Sequence, residues 1–115
     1  TSGPNNITCI AGQQCSCTAG SCVMVCPTTG DCQVNCTGSS CTTQCSGTNP
    51  CQVNCGTGAS CTQQCASGNC QLTATGAVSS QQTCNAAAAC NTACTNTTSC
   101  KQTAGTGTHL CTGCN

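Results

Sequence analysis

The 115-residue chain contains no Phe, Trp or Tyr, a single Met, and only two formally charged side chains, Asp31 and Lys101. Each shortage excludes something. Aromatic and branched aliphatic side chains contribute roughly 1.5–3 kcal/mol apiece on burial, so a chain this poor in them cannot be held together by an ordinary globular core. With one Lys and no Arg, nothing is present to neutralise phosphates or an anionic bilayer, and neither nucleic acid nor membrane is expected as a partner. No apolar stretch approaches the roughly 18 residues of a spanning helix, and no basic, apolar leader opens the chain. Because Thr1 rather than Met comes first, the expectation is that a secretion signal has been removed. A net charge of zero also removes the repulsion that keeps soluble proteins apart, which makes self-association easy.

What the chain has in abundance is cysteine, 20 residues in all. At this density in a short chain, cysteine indicates a disulfide scaffold, which persists in an oxidising compartment rather than in a cytosol. The expectation is a secreted, extracellular protein of one domain. Asn6, Asn35 and Asn96 each open a glycosylation sequon (Asn6-Ile7-Thr8, Asn35-Cys36-Thr37, Asn96-Thr97-Thr98). A chain this rich in Asn and Thr also produces such triplets by composition alone.

Between Cys32 and Cys65 the cysteines fall into order: CQVNC-TGSS-CTTQC-SGTNP-CQVNC-GTGAS-CTQQC. The segment at 32–36 returns unchanged at 51–55, 19 positions later. Such a period implies stacked units that bury a shared core only through their neighbours. Two families of five-residue segments alternate. One is QQCSC (13–17), CQVNC (32–36), CQVNC (51–55), CQLTA (70–74) and CNTAC (90–94); the other is CVMVC (22–26), CTTQC (41–45), CTQQC (61–65), SQQTC (80–84) and CKQTA (100–104). Members of one family resemble each other more than they resemble the neighbouring family, which favours a solenoid of stacked like strands over a meander. Residues 1–12 and 105–115 lie outside this register and read as terminal cap segments around a repetitive body at 13–104.

Five residues suit a strand, and period-2 alternation sends positions 1, 3 and 5 to one face and 2 and 4 to the other. With cysteines inward, the central residue joins them: Val34, Val53, Leu72 and Thr92 on one sheet, and Met24, Thr43, Gln63, Gln82 and Gln102 on the second. The outward rows are then Gln33/Asn35, Gln52/Asn54, Gln71/Thr73 and Asn91/Ala93, against Thr42/Gln44, Thr62/Gln64, Gln81/Thr83 and Lys101/Thr103. The linkers carry the Gly, Pro, Asn, Asp and Ser that tight turns need. NAAAA (85–89) is too short for an independent helix. The fold expected is all-β, a small two-sheeted β-solenoid of about five 19–20-residue coils, rising about 4.7 Å per coil to a flat rod roughly 24 Å long.

Two departures inform the cysteine pairing. Ala74 and Ser80 replace cysteines on either side of one linker and are lost together. Disulfides that close each turn account for both losses, giving Cys17–Cys22, Cys26–Cys32, Cys36–Cys41, Cys45–Cys51, Cys55–Cys61, Cys65–Cys70, Cys84–Cys90 and Cys94–Cys100. Cys9, Cys15, Cys111 and Cys114 are left to pair within their own ends. Loops this small yield about 2 kcal/mol per bond in the chain-entropy model, enough in sum to replace a missing core.

Catalysis needs positioned acids, bases or nucleophiles, and His109, Asp31 and Lys101 stand at no suggestive spacing. An enzyme is not expected, nor is a cofactor. Metal binding competes with disulfides, since Cys15-Ser16-Cys17 and Cys111-Thr112-Gly113-Cys114 have ligand-like spacings. Against it, the dominant spacing is Cys-x3-Cys and lysines to balance thiolate charge are almost lacking. The Gln, Asn and Thr rows read either as a solvated strand face or as ladders of like amides bonded along the stack. If Gln63, Gln82 and Gln102 face inward, each amide needs a partner, and the amide one coil away can supply it.

In its Cys and Thr content, short coils and lack of aromatics, the chain resembles the disulfide-braced β-solenoids of beetle antifreeze proteins. That resemblance implies ice as a partner, bound through a flat outward array. The beetle repeat carries Thr-x-Thr at its strand centres; here the outward pairs are Gln/Asn and Thr/Gln, and Thr106-Gly107-Thr108 in the tail is an isolated match. The leading expectation is a secreted structural protein whose partners are copies of itself, stacked end to end or side to side into an extracellular fibre or coat. The alternative is an ice-binding protein.

Overall fold

The computed structural model describes residues 5–10, 12–17, 20–26, 31–38, 40–45, 50–66, 68–84, 89–103 and 109–114. Residues 85–88 of the alanine run and the Thr106-Gly107-Thr108 triplet lie outside them. Successive strands alternate between two six-stranded sheets, and every pairing within a sheet is parallel. The odd sheet holds β1 (Asn5–Thr8), β3 (Ser21–Val25), β5 (Ser40–Cys45), β7 (Ser60–Cys65), β9 (Ser79–Cys84) and β11 (Ser99–Thr103). The even sheet holds β2 (Gln14–Cys17), β4 (Cys32–Cys36), β6 (Cys51–Cys55), β8 (Asn69–Thr75), β10 (Ala89–Thr95) and β12 (His109–Thr112). This is a two-sheeted β-solenoid, and its 19–20-residue period is visible in the register: Cys32 stands over Cys51 and Cys51 over Cys70.

Alternation within each strand divides core from surface. β6 runs buried–exposed–buried–exposed–buried, and β8 keeps the same alternation over seven residues. The cysteines and the residue between them point inward. Met24, Val34, Val53 and Leu72 are the largest apolar side chains fully buried, and cysteine supplies most of the remaining core. The accessible surface is 5632 Å², close to the roughly 5,700 Å² typical of a folded protein of this mass.

All 20 cysteines are joined in disulfides. Cys17–Cys22, Cys36–Cys41, Cys55–Cys61 and Cys94–Cys100 close turns along one edge of the solenoid. Cys9–Cys15, Cys26–Cys32, Cys45–Cys51, Cys65–Cys70 and Cys84–Cys90 close them along the other. Cys111–Cys114 ends the chain's last strand. On the first edge the turns also bond to one another: Gly38 N–H donates to Thr57 O, Gly58 N–H to Gly76 O, and Gly76 N–H to Thr95 O. Gly38, Gly58 and Gly76 all have positive φ, and the equivalent position in the next turn is Asn96 at φ 52°. Asn is the residue that tolerates this left-handed conformation best after Gly.

The structure differs from the sequence reading at both ends. Residues 1–12 and 105–115 were expected outside the register, yet Asn5–Thr8 pairs with β3 and His109–Thr112 pairs with β10. Backbone pairing asks little of side chains, so one suitable inward residue is enough. Ile7 continues the Met24 row, and Cys111 continues the Thr92 row.

Ala74 and Ser80 occupy the missing rung. Ala74 is in register between Cys55 and Cys94, and Ser80 between Cys61 and Cys100. The bridged neighbours have Cα–Cα separations of 6.1 and 6.5 Å, within the range a disulfide spans. The double substitution Ala74→Cys/Ser80→Cys should therefore form the absent bridge and raise unfolding free energy by about 2 kcal/mol. Intact mass before and after alkylation reports the bond, and denaturant melts of the oxidised protein report the gain.

Candidate functional site

Open grooves of about 360 Å³ lie on the sheet faces, lined by strand residues such as Gln52, Gln71 and Asn91 on one side and Gln44, Gln64 and Thr83 on the other. Asp31 precedes β4 and Lys101 lies in β11, both exposed, while His109 opens β12. Asp31 leads into the even sheet and Lys101 lies in the odd sheet. The surfaces that remain are the flat outer faces of the two sheets.

The even sheet presents amides. Gln14, Gln33, Gln52 and Gln71 stand in register and are all exposed, and Asn91 continues the row. Beside it runs Ser16, Asn35, Asn54, Thr73 and Ala93. Asn54 Nδ2 donates to Asn35 Oδ1 at 3.0 Å. This one bond runs along the stacking direction, as in amide ladders of cross-β assemblies.

The odd sheet presents hydroxyls together with amides. Thr42 and Thr62 stand in register and lead to Gln81 and Lys101; Gln44 and Gln64 lead to Thr83 and Thr103. Sequence reasoning missed a third row, Ser21, Ser40, Ser60, Ser79 and Ser99, which runs unbroken through five strands. The signal was present, because each of these serines comes just before the first position of its segment. In a segment that starts at the cysteine, the serine before it reads as turn chemistry of the linker.

Between the sheets lies a polar ladder. Gln63 and Gln82 are fully buried. Gln82 Nε2 donates to Gln63 Oε1 at 2.7 Å, and Gln102 Nε2 donates to Gln82 Oε1 at 2.8 Å. Across the core, Thr92 Oγ1 donates to Gln82 Oε1 at 2.6 Å. The amide nitrogens also reach backbone carbonyls of the even sheet: Gln63 to Cys51 O, Gln82 to Asn91 O and Gln102 to Leu110 O, at 2.9–3.1 Å. The inward glutamines thus tie the two sheets together as well as their own coils, which satisfies groups that would otherwise be costly to bury. The row ends at Thr43, whose buried hydroxyl has no hydrogen-bond partner, as is also true of Ser80.

Three groups of cysteine sulfurs lie within 4.8 Å of one another: Cys9/Cys26/Cys32, Cys26/Cys45/Cys51 and Cys100/Cys111/Cys114. Each of these cysteines is in a disulfide, and metals take thiolates, not disulfide sulfurs. Stacking of successive bridges explains the grouping. Among the described residues, no helix is long and apolar enough to cross a membrane. No protein-family model, curated protein or solved structure matches this chain.

The ladder separates two kinds of buried polar residue. Gln82→Leu removes the partner of Thr92 and Gln102 and should lower unfolding free energy by about 1–3 kcal/mol. Thr43→Val removes a hydroxyl that has no partner and should be neutral or stabilising by about 1 kcal/mol. Urea midpoints of the fully oxidised variants measure both.

Proposed function

We propose that this is a secreted structural protein that assembles with copies of itself into an extracellular fibre or coat. The observation that carries the reading is the outer face of the even sheet, an in-register plane dominated by Gln and Asn in which Asn54 already bonds Asn35 one coil away. Two such planes can interdigitate as dry, paired sheets. The ten disulfides and the lack of charge fit an oxidising extracellular setting.

Side-to-side association is favoured over end-to-end stacking by the mismatch of the two ends. The inward row of the odd sheet begins with Ile7 and ends with Gln102, both half-buried. Laying one end on the other would set an amide against isoleucine and leave it without its ladder partner. A face of six strands by about five residues measures roughly 24 by 17 Å. One such contact falls short of the roughly 800 Å² per partner of a stable interface, so assembly on this reading needs repeated contacts and rises steeply with concentration. Asn35 stands in the face and accepts from Asn54, so a glycan on Asn35 and face pairing exclude each other.

Ice binding is a second reading, favoured by the odd sheet, where the serine row lies beside Thr42 and Thr62 on a regular grid. Electron microscopy and sedimentation of the oxidised protein across a concentration series test the first reading. Filaments or sheets are expected, with Gln52→Lys raising the assembly threshold by about ten-fold or more through like-charge repulsion and Thr62→Lys leaving it unchanged. Monodisperse monomers at every concentration would refute it. Thermal hysteresis and ice shaping, lost in Thr62→Lys but kept in Gln52→Lys, would decide for ice.

A further inference from the structure

The ten disulfides are not equivalent. Nine join cysteines at a sequence separation of five or six, between strands, whereas Cys111–Cys114 spans a separation of three. Neither Cys111 nor Cys114 belongs to the buried core, while Cys100 beside them is fully buried. The Sγ atoms of Cys114 and Cys100 are 3.7 Å apart, which is van der Waals contact between sulfurs. Cys100 is bonded to Cys94, itself only partly buried. Gly113 makes this approach possible. Its φ is +79°, and a Cβ there would collide with the Cys94 carbonyl oxygen. Any side chain at position 113 would push the terminal Cys-x-x-Cys away from the neighbouring bridge.

We infer that Cys111–Cys114 is a thiol–disulfide exchange site whose internal partner is the Cys94–Cys100 bridge, and that its substrate is a thiol. An incoming thiolate attacks Cys111 Sγ, forming a mixed disulfide and releasing Cys114 as thiolate. Cys114 then attacks Cys100 Sγ, breaking the Cys94–Cys100 bond and releasing Cys94 as thiolate, which takes up the proton that the incoming thiol lost. The sum is one thiol consumed, one thiol formed, and no net oxidation. Placement in a Cys-x-x-Cys and the partial exposure of Cys111 admit the first step; contact of Cys114 with Cys100 at 3.7 Å favours the second. A comparable contact, Cys26 Sγ to Cys51 Sγ at 3.6 Å, is buried on both sides and offers a thiol no entrance. The thiol can come from a small molecule or from Cys94 of a second copy, in which case exchange links copies covalently.

The test treats the oxidised full chain with limiting glutathione under native conditions, quenches with an alkylating agent, and maps each cysteine by peptide mass spectrometry. Glutathione on Cys111, alkyl label on Cys94 and a new Cys100–Cys114 bond are expected, at least about ten-fold faster than any change at Cys55–Cys61. In Gly113→Ala, glutathione should still reach Cys111 while labelling of Cys94 falls about ten-fold. In Cys111→Ala/Cys114→Ala, whose nine other bridges remain, Cys94 should label no faster than Cys55. Labelling of Cys111 and Cys114 with Cys94–Cys100 intact, or equal labelling of all bridges, would overturn the inference. Non-reducing gels distinguish the thiol's source: with glutathione in excess the protein stays monomeric, and with substoichiometric glutathione Cys94–Cys111 links between copies appear.

Discussion

A disulfide across a turn draws the ends of two strands to Cα separations of about 6 Å, for example 5.7 Å at Cys26–Cys32 and 6.3 Å at Cys36–Cys41. Sheets packed through ordinary side chains stand about 10 Å apart. Pinning both edges of the solenoid this closely leaves a thin interior, and each strand then has room for one further inward side chain between its two cysteines. The largest side chains buried between the cysteines are Met24, Leu72, Gln63 and Gln82, and the chain has no aromatic residue to place there. The core is small because the bridges make it small, and the bridges make up for the burial that is thereby lost.

The same narrowness explains why a core can be polar. An inward glutamine finds its own kind one coil above and below, and backbone carbonyls of the opposite sheet within reach, so Gln63 and Gln82 are buried with partners. Along the odd sheet the inward row passes from Ile7 and Met24 through Thr43 to three glutamines. Thr43, at the junction, is too short to join either part and has no partner. The outward faces follow the opposite rule, with water satisfying whatever the ladders leave free.

Much of this was legible in the residues. The exact return of CQVNC gives the coil, the inward positions of Val34, Gln63 and Thr92 follow from period 2, and the joint replacement of cysteine by Ala74 and Ser80 points to bridges across turns. The ends were less legible because strand pairing is a property of the backbone: NNIT and HLCT carry none of the Cys-x3-Cys signature, yet one inward residue was enough to extend each sheet. The serine row was hidden for a related reason, since a serine before a cysteine looks like turn chemistry until the register places five of them side by side. The contact of Cys114 with Cys100 depends on how the chain folds back at Gly113, which no periodicity encodes.

The bridges have one more property. Twenty cysteines admit roughly 6.5 × 10⁸ pairings by the counting that gives 105 for eight, yet every bond here joins cysteines consecutive in the chain, from Cys9–Cys15 to Cys111–Cys114. No bond encloses or crosses another. A chain made from its N-terminus can therefore lock each bend as soon as the second sulfur emerges, before the next coil exists. The search for the native connectivity becomes a sequence of independent nearest-neighbour choices, and adding or removing a coil changes none of those already made.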